Sequence, residues 1–185
     1  GRLTAPLVFA GALCKDYLRK KENIVIGSHL YSIGEVQDEA FDAVSVTPEL
    51  LCQLQEEKLP VLKAEIADKI QNIIEEARQM GDSIGGVIEC AATGLAPGIG
   101  SPMFGGVESK IASLVYGIPA VKGVEFGMGF KIAEKTGSQV NDCFVKSNDT
   151  VKTRTNYNGG VLGGITTGMP LVLRVAFKPT PSIRK

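Results

Sequence analysis

The chain has no tryptophan, a single histidine and four cysteines among its 185 residues, and aromatic residues make up only 6%. A lone histidine, with no Cys-x-x-Cys pair to join it, supplies no ligand set for zinc. Net charge is also missing, since 20 lysines and arginines balance 20 aspartates and glutamates. Without a bulk field there is nothing to attract nucleic acid or an acidic membrane surface, so any anion must be held locally. No apolar run is long enough to span a bilayer, and Gly1-Arg2-Leu3-Thr4 has neither the charged nor the apolar region of a signal peptide. There is no initiator methionine, and the expectation is a piece of a longer protein. Cys14, Cys52, Cys90 and Cys143 lie far apart among apolar or helical residues, which predicts free, buried thiols in a reducing compartment.

Apolar residues and glycine are plentiful. At 44% hydrophobic and 22% charged, the chain can build one substantial core, so a single domain over residues 1–185 is expected. Thr4-Ala5-Pro6 predicts a helix capped by Thr4 and running to about Lys21, with Val8, Phe9, Ala12, Leu13 and Leu18 inward and Lys15, Arg19 and Lys20 toward water. Residues 24–33 alternate and are β-branched, which predicts a strand, and residues 35–46 read as loop. Thr47-Pro48-Glu49 opens one helix and Pro60 a second, in which Ile66, Ile70, Ile73, Ile74 and Ala77 share a face before Gly81 ends it. Further strands are predicted over 84–93, 120–126 and 171–177 and near 151–155, with a helix from Val107 to about Gly117 and a helical stretch around 130–135. Alternating helices with hairpin-like strand pairs favour an α/β or α+β domain.

Glycine, 22 in all, concentrates at 94–106, 123–129 and 159–168. Such clusters serve either tight turns and close packing or a backbone that passes close to a ligand with its N–H groups inward. No Gly-Lys-Ser/Thr follows any of them, and none has the strand-GxGxxG-helix context of a dinucleotide fold. Lys178-Pro179-Thr180-Pro181-Ser182 brings a cation and two hydroxyls to a strand exit, which suits either solvent or a phosphate. His29 has no acidic or nucleophilic partner nearby in sequence and reads as structural, the pairs Glu56-Glu57 and Glu75-Glu76 read as solvated helix faces, and Asn141-Asp142 reads as an Asx turn ahead of a ligand contact.

Taken in order, several stretches resemble the chorismate synthase family. They are Gly1-Arg-Leu-Thr-Ala-Pro6, Ile26-Gly-Ser-His29, Gly81-Asp-Ser-Ile-Gly-Gly-Val-Ile-Glu-Cys90, Thr93-Gly-Leu95 and Gly98-Ile-Gly-Ser-Pro-Met-Phe104. They continue with Ile118-Pro-Ala-Val-Lys-Gly-Val-Glu-Phe-Gly-Met-Gly-Phe130, Gly137-Ser-Gln-Val-Asn-Asp142, Asn158-Gly-Gly-Val-Leu-Gly-Gly-Ile-Thr-Thr-Gly168 and Phe177-Lys-Pro-Thr-Pro-Ser-Ile183. The likeness covers the whole chain and is least typical between Glu35 and Leu59.

The resemblance implies an α+β fold, a β-α-β sandwich of antiparallel sheets flanked by helices, and a chain that is the central part of the enzyme. It implies a cytoplasmic, homotetrameric lyase that converts 5-enolpyruvylshikimate 3-phosphate to chorismate and phosphate with reduced FMN, with NADPH reducing the flavin in some members. Carried over by position, the flavin contacts fall on Pro119, Ala120, Gly163, Lys178, Pro179, Thr180, Pro181 and Ser182, so that the backbone near 163 and the corner near 180 would line one cavity. Pro181 replaces a common serine and Asn158 a common alanine. No counterpart of the family's catalytic histidines or arginine-rich segment is found, so no catalytic residue and no metal ligand is assigned. A non-catalytic FMN or phosphate-binding module and an oligomerisation module are the competing readings.

Overall fold

The computed structural model describes residues 2–147 and 150–185; Gly1, where the resemblance begins, lies outside the described residues. In chain order the elements are α1 (Thr4–Glu22), β1 (Val25–Ile33), β2 (Val36–Gln37), α2 (Pro48–Glu56), α3 (Ala64–Gln79), β3 (Gly86–Thr93), α4 (Val107–Val115) and β4 (Val121–Phe126). There follow α5 (Gly137–Val140), β5 (Phe144–Ser147), β6 (Thr150–Thr153), β7 (Val161–Leu162), β8 (Ile165–Thr166) and β9 (Leu171–Phe177), with 3-10 turns at Met103–Gly105 and Gly129–Glu134. Five strands form one antiparallel sheet in the order β2-β1-β3-β9-β4, while β5-β6 and β7-β8 are separate hairpins. This is the expected α+β architecture.

Alternation along the strands sorts side chains onto two faces. Ala91 and Val172 join Phe41, Val46, Leu51 and Leu54 beneath α2, whereas Ala92, Val121, Leu171, Leu173 and Val175 meet Val161 and the Val107, Ile111 and Val115 stripe of α4. Leu51 and Ile70 are fully buried, each contributing about 1.5–3 kcal/mol of transfer free energy. Thr47 caps α2 as expected, its Oγ1 accepting from the Leu50 amide at 3.2 Å.

Several expectations are corrected. The second of the two helices begins at Ala64, not Pro60, because the Pro60 carbonyl is taken by the Leu30 amide of β1 and the Asp38 carboxylate accepts from the Leu62 and Lys63 amides, which holds the lead-in extended. Thr4 is the first helical residue of α1, and Leu3 occupies the cap position. No residue of α1 is buried: Leu7, Leu13 and Tyr17 form an exposed stripe continued by Leu3 at the cap, Phe9 is exposed instead of inward, and Val8, Ala12, Lys15 and Arg19 line a 470 Å³ cavity over the start of β1. Periodicity marked the helix but not the face that turns toward the sheet. All four cysteines are free, yet Cys14 and Cys143 are exposed instead of buried. The hairpins β5-β6 and β7-β8 fall in polar and glycine-rich stretches where only one strand was expected.

Candidate functional site

Ala120 lies in the turn between α4 and β4 with φ at 74°, a left-handed conformation unusual for a residue with a β-carbon. Its carbonyl accepts from the Lys178 amide at 2.9 Å, which joins the Pro119–Ala120 turn to the end of β9. Beyond that bond the chain from Lys178 to Ser182 is exposed. It is pinned by the Ser83 hydroxyl donating to the Thr180 carbonyl at 2.6 Å and by the Ile183 amide donating to the Pro181 carbonyl at 3.1 Å. No ion pair engages the Lys178 ammonium among the described residues.

Gly163 is elsewhere. It forms the tip of the β7-β8 hairpin, whose Gly164 carbonyl accepts from the Val107 amide at the N-terminus of α4, while Pro119–Ala120 follows the other end of that helix. With nine residues in α4, the two places stand roughly 14 Å apart along its axis. Two cavities lie beside these segments, and neither is lined by Gly163, Pro119, Ala120, Lys178 or Thr180. Leu162, Ile165, Thr166 and Gly168 line one of 760 Å³ with Phe144 and Val151, and Ser182 lines another of 500 Å³ with Arg78, Asp82 and Arg184. At Gly164 a β-carbon would sit 2.5 Å from the Ser101 carbonyl oxygen, so that glycine serves close packing; at Gly163, with φ at 59°, a β-carbon would meet nothing within 4 Å.

Asp142 organises the approach to the glycine block instead of closing a local Asx turn. Buried, it accepts from Thr155 Oγ1 at 2.7 Å, from the Tyr157 and Asn158 amides at 2.8 and 3.0 Å, and from Asn158 Nδ2 at 2.8 Å. Burial alone would raise its carboxyl, but these hydrogen bonds hold it below the ordinary aspartate range. Asn158 thus has a partner that explains its side chain.

A row of charged side chains crosses the sheet on the α2 face. His29 of β1, Glu89 of β3, Arg174 of β9 and Glu125 of β4 stand directly opposite one another in register. His29 Nε2 lies 3.0 Å from Glu89 Oε2, Arg174 Nε donates to Glu89 Oε1 at 2.9 Å, and Arg174 Nη1 donates to Glu125 Oε1 at 3.2 Å. The Phe41 amide also donates to Glu89, at 2.6 Å, and the Arg174 guanidinium stacks over Tyr31, 4.4 Å from the ring centre. Burial pushes the Glu89 carboxyl up, yet the bonds from His29 and Phe41 and the charge of Arg174 outweigh it and leave it below the usual glutamate range. His29 is buried between two acids, with Asp38 Oδ2 3.3 Å from its Nδ1 as well as Glu89 at its Nε2, so the partners not read from sequence come from just after β2 and from another strand. The signal available in sequence was a carboxylate inside the apolar run 87–92 and an arginine inside 171–177, because a charge within a buried strand needs a partner.

A family model described as chorismate synthase matches residues 1–185. The chain belongs to the chorismate synthase family. Chorismate synthases of Pyrococcus abyssi and Thermococcus kodakarensis are each 47% identical over 183 residues, which is 99% of this chain and 49% of theirs. A crystal structure of chorismate synthase superposes with a TM-score of 0.82 at 36% identity, covering 93% of this chain and 54% of that chain. The chain therefore spans about half the length of the curated chorismate synthases it matches. No helix among the described residues is long and apolar enough to cross a membrane.

Proposed function

We propose that this chain supplies part of the flavin site of a chorismate synthase, a cytoplasmic homotetramer that converts 5-enolpyruvylshikimate 3-phosphate to chorismate. In that trans elimination the carbon–oxygen bond to phosphate breaks, a ring proton leaves, and a carbon–carbon double bond forms. Reduced FMN, when bound, supplies electron density that helps the phosphate depart, with no net redox change. Pro119, Ala120, Gly163 and Lys178 through Ser182 are the residues that would hold it.

The observation that carries this reading is the Lys178 amide bond to the Ala120 carbonyl, which unites two of the three segments at one end of α4. There the exposed Lys178 ammonium and the Thr180 and Ser182 hydroxyls can hold an anion or a polar ring edge. At the other end of α4, the space above Gly163 lets a flat ring rest on the backbone. An elongated ligand with a ring at one end and a phosphate at the other suits two such places. No residue of this chain is given a catalytic role, and NADPH enters only as a source of flavin reduction.

The test is an anaerobic titration of the 185-residue chain with reduced FMN, followed by calorimetry. Saturable binding is expected, and Gly163→Val should abolish it while lowering stability by only about 1–2 kcal/mol, the cost of a left-handed residue with a β-carbon. Unchanged affinity in that variant overturns the placement of Gly163, and absence of binding by the unaltered chain overturns the reading as a whole.

A further inference from the structure

We propose that Glu125 is a positioning residue for the pair of segments Pro119–Ala120 and Lys178–Ser182, acting through Arg174 to hold β4 in register on β9. The proposal rests on the flavin reading above and names what keeps two of its segments together. β4 is the edge strand of the sheet and, among the described residues, pairs only with β9. Apolar burial pins it unevenly, since Val121 is its one fully buried residue while Val124 and Phe126 are only partly buried against the same core, and a single-residue slip would turn every side chain to the wrong face. The ladder is also irregular, with a bulge between Val121 and Gly123. Ala120 and its bond to Lys178 lie just beyond that bulge, where the regular ladder no longer fixes the spacing of the two chains.

On the far side of the bulge the anchor is ionic. Glu125 Oε1 takes the Arg174 guanidinium at 3.2 Å, and Glu125 Oε2 takes the Phe130 amide at 3.2 Å, which ties the turn after β4 to the same side chain. Arg174 is itself immobilised by Glu89 at 2.9 Å and by the Tyr31 ring, so it is a fixed post on the central strands. A planar guanidinium forked between carboxylates on both neighbouring strands sets their relative offset as a point charge would not.

The experiment compares the chain with Glu125→Ala and Glu125→Gln, following amide hydrogen exchange at Lys178 and through the β1-β3 ladder, and measuring reduced FMN affinity. In Glu125→Ala the Lys178 amide should exchange about tenfold faster, the factor produced by a ~1.4 kcal/mol loss, with β1-β3 unchanged and FMN affinity reduced by a similar factor. Glu125→Gln keeps an acceptor for Arg174 and should recover part of both effects, which a purely structural role would not produce in the ligand arm. Unchanged Lys178 exchange, acceleration spread equally through β1-β3, or faster exchange with unaltered FMN affinity each overturns the proposal. If the unaltered chain binds no FMN, the flavin reading fails, and the positioning proposal, which rests on it, falls with it.

Discussion

Glu89→Ala removes three bonds from a site with no exposure: those of His29 Nε2 at 3.0 Å, the Phe41 amide at 2.6 Å and Arg174 Nε at 2.9 Å. The loss is not the sum of three hydrogen bonds. Removing one member of a buried ion pair strands the other, which costs about 3–5 kcal/mol, against a total domain stability of about 5–15 kcal/mol. Arg174 keeps Glu125 and the Tyr31 ring, which places the expected value toward the lower end of that range. Glu89→Gln retains one acceptor and should cost about 1–3 kcal/mol. Urea unfolding measures both as a shift in midpoint at constant slope, and a cycle with Arg174→Met isolates the pairwise part. A Glu89→Ala variant within about 0.5 kcal/mol of the unaltered chain, the range of ordinary surface changes, would refute the idea that this row stabilises the sheet.

Acid sensitivity follows from the same carboxylates. Glu89 and Asp142 both sit below their ordinary ranges when folded, so their stabilisation is complete above the unfolded values of about 4 and is lost as pH falls through the folded ones. Denaturant unfolding from about pH 7 to pH 3 should show stability falling on the acid side, and Glu89→Gln should flatten that fall; a flat profile in the unaltered chain contradicts the prediction. For the thiols, burial pushes Cys90 up to about 11, whereas Cys14 and Cys143 are exposed. Alkylation at neutral pH followed by mass spectrometry should label Cys14 and Cys143 first, and equal labelling of Cys90 would show that its strand is open to solvent.

Local chemistry made much of the fold legible. Thr47-Pro48 announced α2 because a hydroxyl and a fixed φ act within a single turn, and β9 was bounded correctly because its run of apolar residues is interrupted by the prolines that follow it. The hairpin at Val161–Thr166 is not legible in sequence because two-residue strands leave too short a pattern, and its Gly164 serves contact with Ser101 and the start of α4 that spacing does not record. The proposed site was nameable only in pieces. Family likeness named its segments, but nothing local indicated that Ala120 meets Lys178 while Gly163 stands at the other end of α4.

The amino-acid sequence by itself determined which stretches form helices and strands, which apolar residues recur on one face, and which family the motifs belong to. Tertiary structure alone decided that His29, Glu89, Arg174 and Glu125 align, that the apolar stripe of α1 is left uncovered, and that the three candidate flavin segments occupy two places. The reason is one of range. Periodicity and capping act over a few residues, whereas pairing across β1, β3, β9 and β4 joins residues from distant parts of the chain, and it is settled only when burial forces each charge to find its opposite.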